Sequence, residues 1–168
     1  SVTIIYIGLK RIRRGEPMKM LRAMREPLKY VQGKNACLEF EKEMGYMGKR
    51  FLFVCSNSGY KATHDMIEQS FEGKGDYYRR YEVFGGIYSN GEINRMKAIV
   101  EEDNIDVVVA IGGGSAVDTA KATAYYAGKR IVILPTVAAT DAPCTGLSVI
   151  YNDDGSFDKY LFYPQNPD

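Results

Sequence analysis

The sequence predicts an α/β fold, a mostly parallel sheet with flanking helices that ends in a β-hairpin. Three observations predict it. From Arg25 onward, short apolar runs alternate with helix-like segments, the pattern of βαβ units. The most apolar run, residues 107–111, opens directly onto a glycine turn and a helical pattern. Near the end, Asp154-Gly155 lies between two β-rich runs, as in a hairpin.

Residues 1–24 stand apart. A β-like run at 2–7 precedes the basic stretch from Lys10 to Arg14, and Met18, Met20 and Met24 follow. The segment reads either as sequence upstream of a start at one of those methionines or as an edge strand with a solvated basic loop. Its basic stretch comes after the apolar one, the reverse of a signal peptide, and no small-residue cleavage site follows.

Residues 25–168 form the main domain. The run 51–55 is continuously apolar and closes at Ser56-Asn57-Ser58-Gly59, so it reads as a buried strand entering a loop. A helix is expected over roughly 61–71, then a weaker strand at 81–84 ending at Gly85-Gly86. Ser89 and Glu92, three apart, suit a capping box ahead of Ile93, Met96 and Val100, so a helix runs to about Glu102. A third strand at 106–111, a helix from Ser115 to about Tyr126 and a fourth strand at 131–134, stopped by Pro135, complete the alternation. A Thr/Ala/Pro loop then leads to the hairpin strands at 147–151 and 157–163 around Asn152-Asp153-Asp154-Gly155.

Composition narrows the function. With 168 residues, 45% of them hydrophobic and 26% charged, the chain is large enough for one ordinary core. No run approaches the roughly 18 apolar residues of a membrane span, so no membrane partner is expected. The net charge of +1 is uneven: eight Lys/Arg and two Asp/Glu fall in residues 1–30, fourteen and nineteen thereafter. So acidic a body lacks the clustered cations of duplex binding, and nucleic acid is set aside. Cys37, Cys55 and Cys144 are odd in number and scattered, which argues for a reducing, cytoplasmic setting without a disulfide framework. The single histidine, His64, excludes a two-histidine metal site within this stretch and reads as a surface or structural residue. Tyr77, Tyr78 and Tyr81 read as sheet surface or an oligomer contact.

Two segments could carry chemistry. Gly112-Gly113-Gly114-Ser115 joins the best strand to a helix, where backbone N–H groups and the helix dipole suit a phosphate. It is neither a G-x-G-x-x-G fingerprint nor a P-loop. Ser115 also suits an N-cap, with Asp118 at the capping-box position, so a plain tight turn stays open. In open α/β sheets ligands lie at the carboxyl ends of the strands, where this turn belongs. The second segment, 135–146, leaves the next strand at the same edge. Hydroxyls of Thr136, Thr140 and Thr145 suit phosphate or ribose, and the Asp141 carboxylate suits a polyol hydroxyl or, equally, an Asx or ST turn. Cys144 reads as a small packing residue rather than a nucleophile.

These same residues carry a resemblance. Gly112-Gly113-Gly114-Ser115 with Asp118 and Lys121, the Pro135-Thr136 to Thr140-Asp141-Ala142-Pro143 loop, the run Leu147-Ser148-Val149-Ile150-Tyr151, and Asn166-Pro167-Asp168 resemble the glycerol dehydrogenases of the metal-dependent, iron-containing alcohol dehydrogenase superfamily. Lys29-Tyr30-Val31-Gln32-Gly33-Lys34-Asn35 resembles the start of that family, and the likeness runs from about Pro27 to Asp168. It implies an N-terminal, Rossmann-like NAD-binding half, normally followed by a helical half that holds zinc or iron. It further implies that Gly114, Ser115 and Asp118 contact the dinucleotide near its pyrophosphate. Thr136, Ala139, Thr145, Leu147 and Tyr151 would line the nicotinamide side, and Asp141 would touch glycerol or a related polyol.

Two departures matter. The family's acid after the first strand, which holds the adenosine ribose, falls near Ser56, so NADP is admissible beside NAD. At Ala139 the family often carries serine. The family's metal ligands, an aspartate and two histidines, come from the helical half, which this stretch does not include. The expectation is therefore cofactor binding without metal binding or turnover by this stretch alone. The alternatives are a non-catalytic nucleotide-binding or interaction module and a half-enzyme completed in trans, and a homo-oligomer is expected because apolar surface is left uncovered.

Overall fold

The computed structural model describes residues 29–86, 88–137 and 140–164. The expectations placed on residues 1–24, Ala139 and Asn166-Pro167-Asp168 lie outside the described residues.

Four parallel strands, β1 (Arg50–Cys55), β2 (Tyr78–Val83), β3 (Val107–Gly112) and β4 (Arg130–Pro135), lie in the order β2-β1-β3-β4. Short helix α1 (Phe40–Met44) precedes them; α2 (Asn57–Ser70), α3 (Asn90–Glu102) and α4 (Gly114–Ala127) make the crossovers. A separate antiparallel pair, β5 (Leu147–Tyr151) and β6 (Phe157–Phe162), forms the hairpin. The predicted architecture and hairpin are what the chain adopts.

The chain runs from β1 outward to β2, then crosses back over β1 to β3 and on to β4. Parallel crossovers are right-handed, so a reversal of direction puts helices on opposite faces of the sheet. The core shows this division. Leu52, Val54, Val108 and Ala110 pack with Met96, Val100, Val117 and Ala120 of α3 and α4. Their alternates Phe51, Phe53, Cys55, Val107, Val109 and Ile111 pack with Phe40, Ile67 and Phe71 on the α1–α2 side. Both faces of β1 and β3 are thus buried, which is why these strands read as unbroken apolar runs.

Four expectations need adjustment. Helix α2 begins at Asn57, four residues before the expected start, because Ser56 caps it: the Gly59 N–H donates to Ser56 Oγ at 3.0 Å. Strand β2 begins at Tyr78 rather than at 81, and its arginines and Glu82 are paired. Arg79 makes a two-pronged pair with Glu68, and Tyr81 stacks on Phe53 with ring centroids 4.5 Å apart. The cap of α4 is Gly113, not Ser115, which lies exposed inside the first turn. Ser89 does cap α3, accepting from the Glu92 N–H at 3.3 Å, but the Glu92 carboxylate turns to the Gly85 N–H and Arg95. His64 sits on α2 against the rings of Tyr60 and Tyr81.

Candidate functional site

The strand order places a reversal between β1 and β3, where one connection leaves toward each side of the sheet. Such a switch point opens a crevice beyond the carboxyl ends of the strands. Its floor here is tightly laced: the Ser56 N–H donates to Ile111 O at 2.8 Å, and the Thr136 N–H donates to Gly112 O at 3.0 Å. A Cβ on Gly112 would lie 3.0 Å from Ala116 Cβ and 3.1 Å from Ser56 Oγ, so the turn into α4 passes under Ser56 only without a side chain.

The Gly112-Gly113-Gly114 turn and the 136–146 loop meet there. A Cβ on Gly114 would come within 3.2 Å of Thr140 Oγ1, and one on Gly113 within 3.8 Å of Val137. The space between turn and loop is therefore a cradle that a side chain would fill. It faces the first turn of a 14-residue helix, whose leading N–H groups lack helical acceptors. Ser115 is exposed at this end, as are Thr136 and Asp141, while Thr140 and Thr145 are half-buried.

Part of the chemistry read from the sequence is structural in use. Ser56 Oγ is engaged in capping α2. Thr140 Oγ1 accepts the Ala142 N–H at 3.2 Å, an ST turn that starts the 3₁₀ turn Ala142–Cys144, and the Cys144 N–H closes onto Asp141 O. Asp118 accepts from Ser148 Oγ at 2.9 Å and pairs with Lys121 at 3.3 Å, so its carboxylate braces β5 from α4. Leu147 stands at the near end of β5, and Tyr151 at its far end, bridging to Ser89 and roughly 13 Å along the strand from Leu147.

Sequence reasoning gave Lys121 no role, yet it ties the site together. It is 3% exposed, and its ammonium donates to Ala142 O at 2.8 Å, Thr145 O at 3.0 Å and Leu147 O at 2.6 Å. Those are all three of its donors. Burial pushes the Lys121 ammonium down and the Asp118 carboxyl up, each opposed by attraction to the other. Its signal was there to read: a lysine amid Ala120, Ala122 and Ala124, three residues after an aspartate, on an otherwise buried helix. Behind it, Tyr88 and Tyr163 bury their hydroxyls near Ser148. Among the described residues, no three His, Cys, Asp or Glu side chains gather in a way that could hold a metal ion, and no helix is long and apolar enough to cross a membrane.

The fold and crevice define a class, the open, doubly wound α/β sheets that take their ligands beyond the carboxyl ends of the strands. Comparison with known proteins goes further: the profile of the iron-containing alcohol dehydrogenases matches residues 27–168, and the chain belongs to that family. It is 44% identical over 142 residues to a glycerol dehydrogenase from Thermotoga maritima, covering 84% of this chain and 38% of that protein. It is 38% identical over 148 residues to one from Escherichia coli, with 88% and 40% covered. Among solved structures, a probable glycerol dehydrogenase from Sinorhizobium meliloti superposes with a TM-score of 0.76 at 35% identity, over 88% of this chain and 39% of that one. The chain thus spans about two fifths of the length of these relatives and corresponds to their N-terminal part. The resemblance read from its motifs is the family found.

Proposed function

We propose that this chain is the NAD-binding part of a glycerol or related polyol dehydrogenase. The observation that supports it most is the cradle between the glycine turn and Thr140 at the switch point, lined by a helix N-terminus and small side chains. The identity to glycerol dehydrogenases over the same residues supports the choice of cofactor and substrate class.

In this reading the N–H groups that open α4, at Gly113, Gly114 and Ser115, take the pyrophosphate, and the absence of a Cβ at Gly114 leaves it room. Thr136, Thr140 and Thr145 offer hydroxyls to the ribose and nicotinamide side, with Leu147 and Tyr151 along β5. Bound NAD supplies a hydride acceptor. Asp141, exposed at the rim, accepts a hydrogen bond from a substrate hydroxyl and so orients the carbon that gives up its hydride. Ser56 leaves the end of β1 without a carboxylate, so NADP is tolerated beside NAD. The described residues hold no donor set suited to zinc or iron, and no step here is routed through a metal.

Binding, not turnover, is the readout for this stretch. Calorimetric titration of the folded chain with NAD, with NADP as comparison, should give saturable binding that Gly114→Val abolishes. Absence of NAD binding by the folded chain, or binding untouched by the substitution, would refute the assignment.

A second reading, an interaction module without catalysis, draws on one observation. Phe157, Tyr160 and Phe162 of β6 are 52%, 58% and 71% exposed and form a continuous aromatic face. Sedimentation that shows a monomer at high concentration would count against the expected homo-oligomer.

A further inference from the structure

We propose that Lys121 is the positioning residue that fixes the nicotinamide side of the crevice relative to its phosphate side. This rests on the cofactor reading above and deepens it. Lys121 arises two turns into α4, the helix whose first turn forms the glycine cradle. Its ammonium reaches across to the opposite loop and holds the carbonyls of Ala142, Thr145 and Leu147. Those three span the loop that carries Asp141 and Thr145 and the start of β5.

The loop has few other ties to the sheet. Among the described residues the Thr136 N–H on Gly112 O anchors its start and the Tyr163 N–H on Gly146 O its end; between them its backbone bonds are local, Cys144 N–H to Asp141 O and Ala142 N–H to Thr140 Oγ1. A single buried cation thus takes the place of a strand ladder. It suits the task because an ammonium has three donors and no acceptor, so carbonyls arriving from three directions can satisfy it without a repeating backbone geometry. Asp118 balances the charge from one turn earlier on the same helix and grips Ser148 of β5, so loop and strand are both referred to α4. Tyr163, whose ring lies 5.7 Å from the ammonium, closes the pocket over it. A dinucleotide spans both sides of the crevice, so the distance that Lys121 sets decides whether both ends fit together.

The test compares NAD with ADP, which shares the adenosine and pyrophosphate but lacks the nicotinamide riboside. In Lys121→Met of the same 168-residue chain, the Kd for NAD should rise at least tenfold and that for ADP less than threefold. Hydrogen exchange of the 141–147 amides should speed up while β1 and β3 stay protected. Lys121→Gln, able to donate to two carbonyls at most, should fall between, and it decides the matter if the Met variant does not fold. A general loss of structure would weaken both nucleotides together. Equal weakening, or an unchanged NAD-to-ADP ratio with unchanged loop exchange, overturns the role of Lys121. A folded wild-type chain that binds neither nucleotide overturns the cofactor reading itself.

Discussion

Gly59→Ala pits two local effects against each other, and the structure says which prevails. Gly59 lies in the first turn of α2, and alanine there gains up to about 1 kcal/mol of helix propensity. Its Cβ, however, would sit 2.8 Å from the backbone oxygen of Ile111, 2.9 Å from Ser56 Oγ and 3.0 Å from Ile111 Cγ2. To regain a van der Waals separation near 3.5 Å, helix or strand end must give by roughly 0.7 Å. Neither yields easily. Ile111 is central in the sheet, its oxygen already accepts the Ser56 N–H at 2.8 Å, and Thr63 Oγ1 donates to Gly59 O at 2.8 Å. Overpacking of this kind costs about 1–3 kcal/mol, and the middle of that range less the full propensity gain leaves a net loss of about 1 kcal/mol. For a chain of this size that lowers Tm by roughly 2–4 °C. Urea unfolding followed by far-UV circular dichroism should show a lower midpoint at unchanged slope. A midpoint equal to or above that of the wild type would refute the reasoning, because the contact would then have relaxed at no cost.

Three further outcomes follow from the same geometry. Phe53→Ala removes a fully buried ring stacked on Tyr81 and should cost about 3–5 kcal/mol, read as a large fall in urea midpoint. Ser89→Ala should cost about 1 kcal/mol by uncapping α3, whereas Ser115→Ala should stay within roughly 0.5 kcal/mol, since Ser115 caps nothing; equal losses would contradict the assignment of Gly113 as the cap of α4. Acid should destabilise the fold. Arg95 holds the Glu92 carboxyl below its ordinary range against the opposing effect of burial, and hydrogen bonds from Tyr78 and Arg80 do the same for Asp103. At Glu68 burial pushes upward, but Arg79 and Tyr81 together bring the carboxyl down. Carboxyls lowered on folding stabilise above their ordinary range, and that stability is lost as pH falls through the lowered values. Among the described carboxyls with a shift, Asp118, raised by burial, is the one that works the other way. Urea midpoints should therefore drop below about pH 4.5, and a flat profile from pH 5 to 3 would contradict these pairings.

Much of this protein was legible along the chain. Strands β1 and β3 are buried on both faces, so burial wrote itself as unbroken apolar runs, and glycine marked the turn where one strand hands over to a helix. The family motif was equally local, because backbone N–H groups at a strand-to-helix turn need only a short run of small residues. Helix starts were less legible. Ser56 reads as part of a loop and Ser115 as a cap, whereas the backbone starts α2 on Ser56 and α4 on Gly113. What tertiary structure alone decided is how the two loops are held. Lys121 satisfies its three donors on carbonyls 21 to 26 residues away, and Asp118 serves as its counter-charge rather than as a capping residue. A sequence shows which side chains carry charge and spare donors. Which backbone oxygens come to meet them is settled by the fold, because carbonyls are present at every residue and only packing selects three.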